Sequence, residues 1–240
     1  MNHALYCAQS FWNETVLKPF FELHSEASAT MSRPYYMAVS DEYVKSARRI
    51  MIIGQETKGF GLYTDLWSFE DIREWGVDYL RKQIYGIDSV KNKCTYNRSA
   101  FWNFFRLLER SGFAPCWNNI DKIHQTVSGN TVPLSIEMEA YFCKQYGTPK
   151  QSLIQQEIDI CKPNCILLIT GPNYTHSMSA SFGIEETTLS HYRPKIGSPI
   201  ADITELLDLG VKTIWTYHPT FLNRHHVLND VANQVIKLLS

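Results

Sequence analysis

Glu56, His218 and the adjacent pair Asn118-Asn119 are the residues whose types and positions could do chemistry. Glu56 lies two residues past the end of the apolar run Ile50–Ile53, beside Gly54 and Gln55. A carboxylate there can act as a general base or stabilise a developing cation; the alternative is an ordinary solvated loop glutamate. His218 directly follows the run ending at Tyr217 and precedes Pro219. A strand-end histidine can donate a hydrogen bond to a developing anion, or can merely be satisfied by backbone at a turn. The asparagine amide offers a donor beside an acceptor, which matches the edge of a planar heterocycle. Either asparagine could instead build an Asx-turn or a helix cap.

Other groupings are less informative. His225-His226 beside Arg224 carries no carboxylate-histidine spacing, and adjacent histidines point apart, so no metal site is expected. The GFG at 59–61 has neither the Gly-x-x-x-x-Gly-Lys-Ser/Thr pattern nor the dinucleotide spacing. There is no Gly-x-Ser-x-Gly elbow. Of the six cysteines only Cys161 and Cys165 lie close together, as C-x-x-x-C, and no C-x-x-C pair exists. They read as buried thiols in a reducing compartment, with neither a structural metal nor an iron–sulfur cluster.

These residues need strands to hold them. Ile50–Ile53 closed by Gly54, a short segment Cys116–Ile120, Cys165–Thr170 closed by Gly171-Pro172, and Val211–Tyr217 all read as strands. Between them, helical spacing or caps predict helices over 68–85, about 101–111, 135–146, 150–161, 199–209 and 227–239. Residues 3–25 read as a helix kinked at Pro19, within an N-terminal helical extension over 1–47. Residues 121–134 and 173–197 read as irregular, and 59–97 as a lid insertion. The alternation predicts a single three-layer α/β/α domain around a central, mainly parallel sheet of about four strands. In such folds ligands bind outside the carboxyl ends of the strands, where Gln55-Glu56, Asn118-Asn119, Pro172-Asn173 and His218 would gather.

The chain has 240 residues, 44% hydrophobic and 20% charged, enough for a sizeable core. The net charge of −1 argues mildly against a strong non-specific nucleic-acid binder while permitting a local basic patch. No signal peptide and no run of ~20 apolar residues is present, so a cytoplasmic monomer with no membrane partner is expected.

The order strand–Gly54-Gln55-Glu56, strand–Asn118-Asn119, strand–Gly171-Pro172-Asn173, strand–His218-Pro219-Thr220-Phe221-Leu222 resembles the uracil-DNA glycosylase superfamily. Its best-known branch carries Gly-Gln-Asp-Pro-Tyr after the first core strand, a base-reading asparagine after the second, and His-Pro-Ser-Pro-Leu after the last. The resemblance spans roughly 48–226 and is greater to a poorly characterised bacterial branch than to the well-studied ones. It implies a metal-independent DNA glycosylase with no cofactor, acting on uracil or another altered base in single- or double-stranded DNA. Glu56 would take the place of the water-activating aspartate, the backbone at Gln55 would line the base pocket, and Asn119 or Asn118 would read the base. His218 would stabilise the departing base anion. Tyr96 would stack on the flipped base, Leu222 would enter the base stack, and Arg224 and Lys58 would touch phosphate. Phe101 and Trp102 are expected on a core-facing helix.

The departures bear on the substrate. Glutamate reaches one methylene further than aspartate, and Thr57-Lys58 replace Pro-Tyr. In the best-known branch that tyrosine blocks the thymine methyl, so uracil selectivity is not implied. The alternatives are a non-catalytic nucleic-acid-binding relative and an N-glycosyl hydrolase of small nucleosides or nucleotides.

Overall fold

The computed structural model describes residues 1–239 other than 56–59, 64–66, 87–95, 129, 133 and 148–149. Four strands form its parallel core: β1 (Arg49–Gly54), β2 (Ala114–Asn119), β5 (Cys165–Leu168) and β7 (Lys212–Thr216). A short hairpin, β3 (Gln125–Val127) and β4 (Asn130–Val132), stands apart, and β6 (Ile200–Asp202) runs antiparallel to β7. The sheet order is β2-β1-β5-β7-β6. The three inner parallel strands are buried on both faces, β1 and β5 mainly by apolar side chains and β7 with Thr213 and Thr216 beside Ile214 and Trp215, as expected where helices cover each side. Pro115 cannot donate to a ladder, and it sits in β2, an edge strand where no partner waits for its nitrogen.

Helices cover both faces and complete a three-layer α/β/α architecture. Ser68 and Asp71 form a capping box that starts helix Phe69–Tyr85, and Gly86 ends it in the left-handed conformation. Ser152 and Gln155 do the same for the start of Leu153–Cys161. Helix Phe69–Tyr85, inside the expected lid, packs Ile84 and Tyr79 onto the main core. Among the described residues no helix is long and apolar enough to cross a membrane.

Four expectations differ from the structure. Residues 199–209 begin as strand β6 and hold only one helical turn, Thr204–Leu207. The stretch 173–197 contains helices Thr175–Phe182 and Glu186–His191, and 121–134 contains the hairpin. The N-terminal helix runs on through Pro19, and its irregularity lies before the proline. Its ladder widens into a π-helical turn, Asn13–Leu17, ahead of Lys18–Leu23, which absorbs the missing proline N–H.

Period-2 alternation divides β2 between the two faces. Cys116 and Asn118 share one face with their aligned neighbours Met51 and Ile53; Trp117 and Asn119 share the other with Ile52 and Gly54. On the first face lies a buried ionic network. Lys122 Nζ donates to Glu157 Oε2 at 2.6 Å and to Asn118 Oδ1, and Asn118 Nδ2 donates to Glu157 Oε2 at 2.8 Å. Gln9, from the N-terminal helix, donates to Glu157 Oε1 at 2.9 Å. Both charged side chains are buried; Glu157 is satisfied by Lys122 and two amides, and Lys122 by Glu157 and the Asn118 amide oxygen. Lys122→Met should therefore destabilise the protein by about 3–5 kcal/mol in urea unfolding, because a bare carboxylate is left inside. The double change Lys122→Met with Glu157→Leu should restore most of that loss.

Candidate active site at the carboxyl edge of the sheet

Because β2, β1, β5 and β7 are parallel, their carboxyl ends share one edge. Backbone bonds stitch the segments that follow. Ile120 N–H donates to the Gly54 carbonyl at 3.0 Å, Asp121 N–H to the Gln55 carbonyl at 3.1 Å, and Gly171 N–H to the Thr216 carbonyl at 3.0 Å. Gln55 Nε2 reaches across to the Thr170 carbonyl at 2.7 Å. Gln55 thus ties the ends of two strands together, with both its carbonyl and its side chain engaged.

Asn119 lies on the opposite face from the ionic network. It is buried, and among the described residues its Nδ2 has no hydrogen-bond partner; nor does the buried indole Nε1 of Trp117. Both side chains press against Gly54. A Cβ on Gly54 would sit 2.6 Å from Asn119 Oδ1 and 3.1 Å from Trp117 Nε1. Glycine at 54 is thus the condition for this asparagine to occupy its place. Asn118, by contrast, is committed to Lys122 and Glu157. Of the two asparagines expected to offer a base-reading amide, Asn118 is thus engaged within the fold, and Asn119 is the one with a donor unmet among the described residues.

Trp117 is the centre of an aromatic wall. Its ring stacks on Tyr35 at 4.4 Å and meets Trp102 edge-on at 5.3 Å and Phe101 at 5.6 Å. Phe101, in the first turn of helix Ala100–Arg110, also stacks on the imidazole of His218 at 5.8 Å and 20°. A continuous set of contacts therefore runs from Gly54 and Asn119 through Trp117 and Phe101 to His218.

His218 caps the helix Pro219–Arg224. Thr220 N–H donates to its Nδ1 at 3.2 Å. An Nδ1 that accepts cannot carry the proton of the neutral ring, so that proton is on Nε2. Burial pulls the ring's pKa down to about 4. At neutral pH His218 is an uncharged Nε2–H donor held rigid by its cap.

The remaining site residues fall as follows. Glu56 and Lys58 lie outside the described residues, as does Cys94. Leu222 is fully buried, 0% exposed, in the core where helix Pro219–Arg224 meets helix Ala100–Arg110, so its expected entry into a base stack is corrected. Tyr96 is 43% exposed, but its ring faces the guanidinium of Arg106 at 4.5 Å. Phe101, not Tyr96, is the aromatic against His218. Arg224 is exposed at the end of its helix.

Two further residues escaped the sequence reading. Asp121 and His124, both buried, line a cavity of about 40 Å³ with Tyr174 from the segment after β5. That is room for about one water. Asp121 stands two residues past Asn119 just as Glu56 stands two past Gly54, and Gly54 and Asn119 are register partners. That parallel was the available signal.

The described cysteines are all free; four are buried as expected, but Cys7, on the outer side of the N-terminal helix, is exposed, and the buried Cys165 thiol is pushed up to about 12 by desolvation. Among the described residues no group of three or more histidine, cysteine or acidic side chains is placed to hold a metal ion. Comparison with protein-family models finds no match to the chain, and comparison with curated proteins finds none either.

Two measurements test this geometry. Gly54→Ala should cost about 1–3 kcal/mol, the range for forced overpacking, because Asn119 must move. His218 titrates near 6.5 when unfolded and about 4 when folded. The folded chain therefore binds fewer protons between those values, and stability falls as pH drops from 6.5 to 4, by roughly 3 kcal/mol from this group. Urea titrations of the wild type and His218→Phe should show the variant lacking that share of the slope.

Proposed function

We propose that this protein is a DNA glycosylase that hydrolyses the N-glycosidic bond of uracil or another altered base. The observation that carries the reading is Asn119, a buried side chain whose amide donor meets no acceptor among the described residues, at the carboxyl edge of a parallel sheet. A buried donor left without a partner costs about 1–3 kcal/mol, and a ligand acceptor would satisfy it. The neutral Nε2–H of His218 supports the same reading. Cleavage of a glycosidic bond builds negative charge on the leaving base, and a preorganised donor at that charge lowers the barrier. Glu56, two residues beyond Gly54, is assigned to the opposite charge: it would face the sugar cation and accept a proton from water.

The test is a panel of oligonucleotides, each carrying one altered base, scored for abasic sites in single-turnover reactions. Asn119→Ala, His218→Ala and Glu56→Gln should each slow base release by about 100- to 1,000-fold, assayed at a temperature where circular dichroism shows each variant folded, since His218→Ala also removes a helix cap. Unchanged rates in all three variants would show that the roles are assigned to the wrong residues. Release from free nucleosides, with none from any oligonucleotide, would replace the reading with a nucleoside hydrolase.

A further inference from the structure

Arg33 is a partly buried cation held by rings. Pro34 keeps it extended, and its segment is pinned from both sides. Ser32 N–H donates to the His124 carbonyl at 2.8 Å and Tyr35 N–H to the Lys122 carbonyl at 2.7 Å, while Arg33 N–H donates to the Gly61 carbonyl at 3.1 Å. Residues 122–124 follow closely on the carboxyl end of β2, so Arg33 stands at the same edge of the sheet as Asn119.

The guanidinium is gripped through its face. Its Cζ lies 3.5 Å from the centre of the Trp67 ring and 5.7 Å from that of Trp75. Gly61 lies flat against it as well, for a Cβ there would stand 3.5 Å from Cζ and 3.7 Å from each Nη. Among the described residues the guanidinium makes no ion pair and no hydrogen bond, and its buried Nε meets no acceptor. Desolvation holds its pKa below the usual arginine value, with no carboxylate to offset the loss. Arg106 shows how this chain treats an arginine that serves the fold. It too faces a ring, Tyr96, but its Nη atoms donate to the carbonyls of Ile84 and Asn97 and to Asn103 Oδ1, at 3.3, 2.6 and 2.7 Å. Arg33 has none of these. Stacking recovers part of the hydration a cation loses, but it leaves the N–H edge unmet. That edge is a planar fork matched to two oxygens of one anion.

We infer that Arg33 is an oxyanion-binding residue whose Nη edge takes a phosphate group beside the aromatic wall. Trp75 joins the clamp to that wall: it meets Phe60 edge-on at 4.7 Å, and Phe60 meets Trp117 at 6.3 Å. A guanidinium fork also fits a carboxylate. The flat rings and the unmet amide donor of Asn119 nearby suit a heterocycle, and the anion that accompanies a heterocycle in nucleotides and nucleic acids is phosphate. Trp67 and Gly61 set the plane of the fork in advance, so binding has little ordering cost. The site does not depend on the glycosylase reading, because the phosphate can be that of a free nucleotide or of a strand.

The experiment is NMR of the full chain at constant ionic strength, titrated with inorganic phosphate, thymidine monophosphate, an oligothymidylate strand and acetate. Binding is read from the Arg33 Nε–Hε signal, assigned by its loss in Arg33→Lys, and in the variants from the Trp67 indole signal, assigned by its loss in Trp67→Phe. Phosphate-bearing probes should shift both signals saturably, and acetate should bind at least about tenfold more weakly than inorganic phosphate. Arg33→Lys, which keeps the charge and loses the fork, should weaken phosphate binding by about tenfold, and Arg33→Met should abolish it. Neither variant should lower the melting temperature, since the guanidinium pairs with nothing in the fold. Tighter binding of the monophosphate would assign the phosphate to a free nucleotide, and tighter binding of the oligothymidylate to a strand; both support the site. Signals that no probe moves, acetate binding as tightly as phosphate, or phosphate binding unchanged in Arg33→Met would overturn it. A melting temperature several degrees lower in Arg33→Met, with phosphate binding unchanged in Arg33→Lys, would also overturn it, by making Arg33 a structural cation. Any of these failures leaves the base-release test of the glycosylase reading untouched.

Discussion

Consecutive residues of a strand point to opposite faces, and the organisation of this molecule depends on that rule at the end of β2. Cys116 and Asn118 look one way, Trp117 and Asn119 the other. The first pair belongs to the fold: Asn118 joins Lys122 and Glu157, and through Gln9 brings the N-terminal helix onto the sheet. The second pair belongs to the candidate site. A slip of one residue would put Trp117 where Lys122 and Glu157 need an amide, and Asn118 into the aromatic wall. The ionic network and the aromatic wall thus fix the same register from opposite sides.

The two faces handle polarity differently. On one, every charged atom of the Lys122–Glu157 pair is met by a counter-charge or an amide. On the other, two buried nitrogens, Trp117 Nε1 and Asn119 Nδ2, have no partner among the described residues, and the first is ringed by Tyr35, Phe101 and Trp102. Native interiors rarely leave donors in that state.

Much of the fold was legible in the sequence, because apolar runs closed by glycine and serine-led helix starts are local signals. β1, β5 and β7, and the helix opened by Ser68, follow from them directly. β6 was not legible: three residues, Ile200-Ala201-Asp202, carry no period, and only pairing with β7 makes them a strand. The site was half legible. Strand-end position identified Gln55, Asn119 and His218, but not the face that Asn118 occupies, which depends on register. Leu222 failed for a related reason. Its place in a familiar motif suggested exposure, whereas the helix from Pro219 turns it inward against helix Ala100–Arg110. Phe101 and Asp121 required tertiary contacts to become visible.

The antiparallel β6 bears on how this sheet meets other chains. A parallel strand such as β7, left uncovered, would present a row of open amides and carbonyls on which another polypeptide could polymerise. β6 covers that row with three residues. Pro199, just before it, has no N–H to offer, and Asp202, at its far end, places a charge paired with Lys212. The opposite border, β2, carries Pro115. Both margins of the sheet thus interrupt the hydrogen-bonding pattern that strand-by-strand self-association would have to copy.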